Sequence, residues 1–493
     1  MERQAVGGDD DDDASAAAAA RREDYKAEHE SFVSGHAGST PLEIMLLSLV
    51  VPVSILLLAL MRKVRSTTTS SSWGFGVENA VIALPLLFAV TCCSECHAYM
   101  TASLAAVAFL VFTALYGQSK TTTSRPSNRA GPSLADMNIA APRRLPFVTN
   151  YRAGMLLTTA VCILAVDFPV YPRRLAKTET FGFGLMDIGV GSFVFAAGLV
   201  SQEARKGSSA SGGRSALGCL SKSWVECGPI LALGLARLLS VKASGYHEHV
   251  SEYGLHWNFF FSLTASKLAA SALLVALPVG WCWALSPLLG ICHELALSTA
   301  LAEWALNDEL PRSGGNLVEA NREGVVSVPG YVAIYLSGVN WGHYFANAGT
   351  SFRAHAHIAK DLFVWSTLMW SSLFYTSTDV LFQPASRRLA NWAYFNWMVA
   401  YNLTLLLLFL VVDDLCIVWV GEWMSHAQQN SGSSGRGGTS SRNRRSALRQ
   451  VRPPPPPVGA RELDSRSASA IPHARLRLPQ GRNSVLLQRN NNV

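Results

Sequence analysis

An aspartate and a lysine ten positions apart are the residues of this chain whose types and spacing suit acid–base chemistry. Asp167 ends one apolar run, and Lys177 comes just before the next. Because Phe168 precedes a proline, the helix should stop there, and a short loop can bring the two side chains into contact. Burial raises the pKa of an aspartate and a nearby cation lowers it, so the pair could form a base that takes a proton from a hydroxyl. A simple interhelical salt bridge would use the same two residues.

A second polar segment, residues 245–261, lies at the mouth of another apolar run. Four of its side chains recur at three- and four-residue steps, which predicts that they share one face of a helix: His249, Glu252, Tyr253 and His256. An aromatic belt at a membrane interface would account for Tyr253 and Trp257, but not for the histidines and glutamates. We therefore predict that these four side chains, together with Asn258, bind substrate.

The remaining polar clusters give weaker signals. Arg322 and Glu323 precede a later apolar run, and they are interpreted either as a solvated ion pair or as a contact of Arg322 with substrate. His355 and His357 lie two positions apart, so they do not share a helix face and are interpreted as structural. Three cysteines next to His97 resemble half a zinc site, but the sequence has no second pair at matching spacing. No metal and no cofactor are predicted.

The composition predicts an all-α protein that spans a membrane many times. Of the 493 residues, 49% are hydrophobic and 15% are charged, whereas soluble proteins have about 25% charged residues. Apolar runs such as 42–61, 98–116 and 182–200 have the length of membrane-crossing helices, and together they predict a polytopic transmembrane helical bundle of about eleven to thirteen spans. No glycine-rich phosphate loop and no Gly-x-Ser-x-Gly turn occurs, so neither an ATP-driven pump nor a serine hydrolase is indicated.

Basic residues cluster in alternate loops, which predicts the orientation of the chain. The loops after residue 61, at 117–152 and at 201–223 are rich in Lys and Arg, and short loops of this kind stay in the cytoplasm. The C-terminal tail is also rich in arginine. The pattern predicts a non-cytoplasmic N-terminus, a cytoplasmic C-terminus and an odd number of spans.

The loop between Asp167 and Lys177 departs from this charge pattern. Arg173, Arg174 and Lys177 fall on the predicted non-cytoplasmic side, where basic residues are usually scarce. Cations retained against the orientation signal indicate an anionic ligand or a buried partner.

The two ends of the chain differ in composition from the middle. Residues 1–24 form an acidic arm, and residues 425–493 form a tail rich in Arg, Pro and Ser. Such compositions cannot bury a core, so both ends are predicted to be disordered. Residues 25–424 are the predicted membrane domain, which includes a cytoplasmic low-complexity loop at 117–150.

Long stretches of the chain resemble the inositol acyltransferase family of GPI-anchor biosynthesis, the PIG-W and GWT-type enzymes. The two most specific are "AVDFPVYPRRLAKTETFGFGLMDIGVGSFVFAAGLVS" (165–201) and "HVSEYGLHWNFFFSLTA" (249–265). Further matching stretches occur in family order at 25–40, 321–336 and 386–402.

The resemblance implies an endoplasmic reticulum membrane enzyme that moves a fatty acyl group, typically palmitoyl, from acyl-CoA to the inositol ring of glucosaminyl-phosphatidylinositol. The family's acid–base pair carries over onto Asp167 and Lys177. Asp167 would deprotonate the inositol 2-hydroxyl, and Lys177 would orient Asp167 and stabilise developing negative charge. Arg173 and Arg174 would be partners for a substrate phosphate.

Two other classes compete with this interpretation on the residues alone. A multi-spanning transporter would use the intramembrane charges as a substrate path, but its usual inverted repeats are not evident. A His-dependent membrane-bound O-acyltransferase would instead place catalysis on His256 or His293.

The expected partners are acyl-CoA, the glucosaminyl-phosphatidylinositol lipid and membrane lipids, with no nucleic acid and no protein partner.

Overall fold

The computed structural model describes most of the apolar part of the chain, and it describes it as helices. The described residues are 21, 24, 35–66, 74–122, 145–206, 216–244, 250–307, 309–310, 312, 315–349, 351–378 and 383–418. Within these residues the β-type contact is an isolated parallel bridge between Gly38 and Phe183. The all-α class is confirmed. Apart from Arg21 and Asp24, the predicted disordered ends and most of the loop 117–150 lie outside the described residues.

The helices run in chain order from α1 to α17. Their bounds are α1 (Pro41–Ser48), α2 (Val50–Ser66), α3 (Gly74–Val90), α4 (His97–Thr122), α5 (Pro146–Ala165), α6 (Asp187–Leu199), α7 (Gln202–Lys206), α8 (Ala216–Ser244), α9 (Val250–Tyr253), α10 (Phe259–Ala276), α11 (Cys282–Ala296), α12 (Ala302–Leu306), α13 (Leu317–Ala320), α14 (Arg322–Val326), α15 (Val328–Asn347), α16 (Phe352–Thr378) and α17 (Trp392–Leu410). Short 3-10 turns occur at Arg173–Leu175 and Val279–Trp281.

Seven helical segments of the described residues are long and apolar enough to cross a membrane. They are α1–α2, α4, α5, α8, α10, α11–α12 and α17. The seven segments confirm a polytopic membrane protein, but they are fewer than the predicted eleven to thirteen spans. The difference arises partly from α15, in which the ten residues 330–339 are all buried. A helix enclosed by other helices meets little lipid, so its sequence need not be strongly apolar.

Helix α15 packs against α6 through glycines on both helices. Gly338 and Gly342 are four positions apart and form a small-xxx-small motif, which lets two membrane helices approach closely. A Cβ at Gly338 would collide with the carbonyl oxygen of Phe195, and one at Gly342 with that of Leu199. Gly198 meets the backbone of α15 in the same way. This contact fixes α6, which forms one wall of the site described below.

Three connecting segments meet at one end of the bundle. They join α5 to α6, α8 to α10, and α16 to α17. Asparagine side chains define where two of the following helices begin: Asn258 accepts from the N–H groups of Phe260 and Phe261, and Asn391 accepts from that of Tyr394. Such N-caps satisfy donors that the first helical turn leaves unpaired.

The predicted helical face from 249 to 256 is wrong. Helix α9 ends at Tyr253 because Gly254 has a φ of 118°, which a residue with a side chain rarely adopts. A Cβ at Gly254 would also collide with the backbone of Asn321. The chain therefore turns away after Tyr253, and His256 lies on a different segment from Glu252.

We expect Gly338→Val to destabilise the protein, because its side chain would occupy the space of the Phe195 carbonyl. Overpacking of this kind costs about 1–3 kcal/mol. Gly228→Ala on α8 is the matched control, since a Cβ there would meet no heavy atom within 4 Å. Thermal unfolding of the detergent-purified variants measures the effect. Equal melting temperatures for the two variants would contradict the proposed backbone contact.

Candidate active site

A cavity of about 1500 Å³ lies among α5, α6, α8, α10 and α17. It exceeds the range of about 300–1,000 Å³ that is usual for small-molecule sites. Its lining extends from Gly154 on α5 to Val166, the residue that follows this helix, which corresponds to about 18 Å along the helix axis. Tyr401, Leu405 and Phe409 line it from one face of α17. The cavity is therefore long and largely apolar, with dimensions that suit a lipid chain.

Charged side chains line the cavity near the end where the three connecting segments meet. Asp167 and Lys177 come from the segment between α5 and α6, and Glu252 comes from α9. Tyr253 lines the cavity beside Glu252. A polar end joined to an apolar chamber is the arrangement needed to react the head of a lipid while its chain is held.

The structure brings Asp167 and Lys177 to the same cavity but not into contact. Helix α5 ends at Ala165, close to the predicted stop, and the 3-10 turn Arg173–Leu175 directs the chain back toward the bundle. The simple salt bridge between Asp167 and Lys177, which the sequence left open, does not form. Lys177 Nζ instead lies 2.8 Å from Glu252 Oε1. Asp167 is exposed and has no ion-pair partner among the described residues.

Lys177 is the end of a chain of four charged side chains. Glu252 Oε1 also lies 2.9 Å from Arg387 Nη1. Arg387 Nε in turn donates to Asp187 Oδ1 at 2.8 Å. The other carboxylate oxygen of Asp187 accepts from Thr178 N, Thr178 Oγ1 and Gly184 N. These contacts connect α6, α9 and the segment before α17 to the lysine at the cavity.

Glu252 is ionised throughout the neutral range. Burial alone would raise its pKa, but the Lys177 ammonium and the Arg387 guanidinium lower it from 4.5 to about 2. Because this pKa is depressed in the folded protein, the stabilisation that it reflects is present above pH 4.5 and is lost only as the pH falls toward 2. Burial raises the pKa of the neighbouring Tyr253 to about 12, so its hydroxyl remains a hydrogen-bond donor.

Arg173 and Arg174 both have partners within the protein. Of the two explanations for cations in this loop, an anionic ligand or a partner in the protein, these contacts support the second. The Arg173 guanidinium donates to the carbonyl oxygens of Val166, Phe168 and Tyr171 and so stabilises the end of α5. Arg174 forms ion pairs with Glu43 at 2.9 Å and with Glu95 at 2.7 Å. Neither arginine lines the cavity. Their expected role as phosphate partners is therefore not supported by their positions.

The other predicted substrate contacts have mainly structural surroundings. Asn258 caps α10 and donates to the Gly234 carbonyl at 2.9 Å, although it also lines the cavity. Arg322 is 1% exposed, and its guanidinium donates to the backbone carbonyls of Ala305, Asn307 and Leu310.

Of the two predicted histidine contacts, the one that the structure describes lies away from the cavity lining. His256 Nδ1 lies 3.0 Å from Lys242 Nζ, and His256 does not line the cavity. His249 lies outside the described residues.

Sequence reasoning missed three charged residues of the site. Asp187 and Arg387 lie within stretches that match the family, and a charge inside an apolar segment was the signal that could have identified Asp187. Arg387 follows no apolar pattern and is recognised only by its contacts. Arg237 also lines the cavity, from α8.

The fold and the cavity define an α-helical membrane protein with acidic and basic side chains at one end of a large, mostly apolar chamber. A family model described as GWT1 matches residues 25–451. The chain is 37% identical over 417 residues to the GPI-anchored wall transfer protein 1 of Aspergillus fumigatus, and the aligned region is 80% of the chain and 82% of that relative. It is 33% identical over 398 residues to the glucosaminyl-phosphatidylinositol-acyltransferase PIGW of Bos taurus, and the aligned region is 79% of the chain and 77% of that relative. The chain belongs to the GWT1 family.

Removing the Arg387 guanidinium should leave Asp187 and Glu252 as buried carboxylates that have lost a partner. Breaking a buried pair in this way costs about 3–5 kcal/mol, so we expect Arg387→Met to lower the melting temperature strongly. Lys360→Met is the control, since Lys360 is exposed and its ion-pair partner among the described residues is Asp361 at 3.5 Å. Adding Asp187→Asn to Arg387→Met should recover part of the loss. No recovery would show that Arg387 acts through packing rather than through charge.

Proposed function

We propose that this acyltransferase moves a fatty acyl group, palmitoyl in particular, from acyl-CoA to the inositol 2-hydroxyl of glucosaminyl-phosphatidylinositol. The observation that carries the proposal is that Asp167 and Lys177 both line one cavity with a charged end and a long apolar wall. A relative of similar length is named for acyl transfer to the same lipid. The apolar wall suits the fatty chain, and the charged end suits the inositol head.

The reaction requires one base and one site for negative charge. Asp167 accepts the proton of the inositol 2-hydroxyl while the hydroxyl oxygen attacks the thioester carbonyl carbon. The carbonyl oxygen becomes an oxyanion, and the carbon–sulfur bond then breaks. CoA leaves as a thiolate and takes the proton from Asp167. The products are the 2-O-acyl inositol lipid and free CoA, so acyl-CoA is a co-substrate and the scheme needs no cofactor.

Lys177 supplies positive charge where the oxyanion forms. Fixed charges that point at a developing oxyanion lower the barrier because they need no reorganisation during the reaction. The contact with Glu252 holds the Lys177 ammonium in place, and Arg387 and Asp187 hold Glu252. The buried network therefore positions the lysine rather than the aspartate.

The surroundings of the histidines do not favour the His-dependent scheme. His293 is buried, and its Nε2 lies 2.9 Å from the carbonyl oxygen of Leu389. Neither His293 nor His256 is among the residues that line the cavity. A histidine base would have to reach the acceptor hydroxyl, and both rings are directed elsewhere.

The protein is a membrane protein, and we propose that it resides in the endoplasmic reticulum with its N-terminus in the lumen. The basic loops predicted to be cytoplasmic support this orientation. It places the segment between α5 and α6, and hence the charged end of the cavity, on the lumenal side. The C-terminus would then be cytoplasmic.

The direct test is acyl transfer by the purified full-length protein in nanodiscs. With palmitoyl-CoA and glucosaminyl-phosphatidylinositol, we expect a product heavier by one palmitoyl group, together with an equal amount of free CoA. An acceptor whose inositol 2-hydroxyl is methylated should give neither. Hydrolysis of palmitoyl-CoA without a lipid product would contradict the proposal.

Asp167→Asn should lower turnover by about 10²–10⁴-fold, because it keeps the shape of the side chain and removes the proton acceptor. Lys177→Ala should be comparably damaging, and the double variant should be little worse than either single variant, since groups that act as a unit are not additive. Glu303→Gln is the control, because Glu303 is an exposed carboxylate on α12 outside the cavity lining.

His256→Ala separates the two catalytic schemes in the same assay. If Asp167 is the base, this variant keeps measurable turnover. A well-folded but inactive His256→Ala protein, combined with a nearly normal rate for Asp167→Asn, would overturn the assignment.

Cysteine labelling tests the orientation. In a cysteine-depleted background, a cysteine at the exposed position 170 should react only with reagents that reach the lumen. A cysteine at position 130, within the predicted cytoplasmic loop, should react from the cytosol. Labelling of both positions from the same side would contradict the predicted topology.

A further inference from the structure

We infer that Arg237 binds the phosphodiester of the inositol-lipid substrate, an inference that rests on the proposed function. Arg237 lines the cavity from α8, together with Val241 and Ser244. These three positions are separated by four and three residues, so they form one face of the helix. Arg237 therefore belongs to the face that α8 presents to the cavity.

Arg237 forms no hydrogen bond and no ion pair with the other residues that the structure describes. Glu252 influences it electrostatically but already contacts Lys177 and Arg387. An arginine within a membrane helix costs free energy on insertion, about 2.5–3.5 kcal/mol at the helix centre, and is usually retained for a function. A long side chain near a helix end can also reach toward the interface without any ligand, and this is the alternative to be tested.

Close packing against α10 sets the position of α8 next to Arg237. A Cβ at Gly234 would lie 2.7 Å from the Phe261 ring, so a larger residue would force the ring or the helix to shift. The Asn258 side chain also donates to the Gly234 carbonyl. Arg237 follows one turn after Gly234, and the same contact therefore fixes its height in the cavity wall.

The other cations near the charged end are already engaged. Lys177 pairs with Glu252, Arg174 pairs with two glutamates, and Arg173 donates to backbone carbonyls. Arg21 also lines the cavity, but its neighbours in sequence lie outside the described residues. Among the described residues of the helical walls, Arg237 is therefore the cation that can accept a new anionic partner.

The chemistry of the acceptor places an anion close to the base. The 2-hydroxyl that is acylated lies on the ring carbon next to the one that bears the phosphodiester. When that hydroxyl is held against Asp167, the phosphate must lie in the same cavity. A guanidinium binds two phosphate oxygens at once, which fixes the orientation of the inositol ring as well as its position.

The experiment measures both substrates for Arg237→Gln and Arg237→Lys in the acyl-transfer assay. We expect Arg237→Gln to raise KM for glucosaminyl-phosphatidylinositol by about 10- to 100-fold, the usual effect of losing a charge-assisted contact. KM for palmitoyl-CoA should stay unchanged, and Arg237→Lys should restore part of the affinity. Lys242→Gln removes a cation from the same end of α8 outside the cavity lining, and its kinetics should match wild type.

An uncharged acceptor gives the sharper comparison. A glucosaminyl-phosphatidylinositol analogue with a methyl phosphotriester should bind wild-type protein more weakly than the natural lipid does. Arg237→Gln should bind the analogue and the natural lipid about equally weakly. An increase in KM for palmitoyl-CoA alone would assign Arg237 to a CoA phosphate and overturn the inference. Unchanged values for both substrates would show that Arg237 only reaches toward the interface, and would overturn it as well.

Lipid binding without turnover separates this inference from the proposed function. Thermal stabilisation of the protein by a short-chain glucosaminyl-phosphatidylinositol reports binding directly. If wild type binds the lipid, Arg237→Gln does not, and neither transfers palmitate, then the phosphate site stands and the proposed reaction fails. If the two proteins bind the lipid equally well, the inference fails whatever the turnover.

Discussion

The Arg387 guanidinium, held between Asp187 and Glu252, is the interaction on which the rest of the site depends. It is 3% exposed and lies 2.8 Å and 2.9 Å from its two carboxylate partners. Two carboxylates brought this close would repel each other and lose hydration without a cation between them. The arginine therefore joins α6, α9 and the segment before α17 at one point, and Lys177 takes its position from that junction.

The opposite character of the two ends of the cavity follows from this arrangement. Ionic contacts are strong where water is scarce, so they fix the charged end tightly. The deeper wall is formed by residues such as Leu405 and Phe409, which pack without directional bonds. A rigid polar end can orient a reacting head group, whereas an apolar wall accepts a chain by contact area alone. The division suits an enzyme that must distinguish one hydroxyl but hold a fatty chain.

Close helix packing supplies the frame for these charges. The glycine contacts between α6 and α15 fix the helix that begins with Asp187, and Gly234 fixes α8 against α10. A Cβ at these glycines of α6 and α15 would collide with the backbone of the facing helix, and one at Gly234 with the Phe261 ring, so these glycines set the spacing of the walls. The loop arginines contribute in another way: Arg173 stabilises the end of α5, and Arg174 connects the loop to Glu43 and Glu95. The two arginines of this loop therefore stabilise the fold through contacts within the protein.

The sequence by itself determined the helical membrane class, the end of α5 before Pro169, and the presence of Asp167 and Lys177 at one end of the bundle. These features depend on local properties: apolar run length, proline geometry and a connection too short to separate its ends. Only the tertiary structure decided that Lys177 pairs with Glu252 and that Arg387 pairs with Asp187, 200 positions away in the chain. It also decided that Gly254 ends α9. Ion pairs between distant segments leave no periodic signal in the sequence, because they arise from how whole helices pack rather than from the order of neighbouring residues.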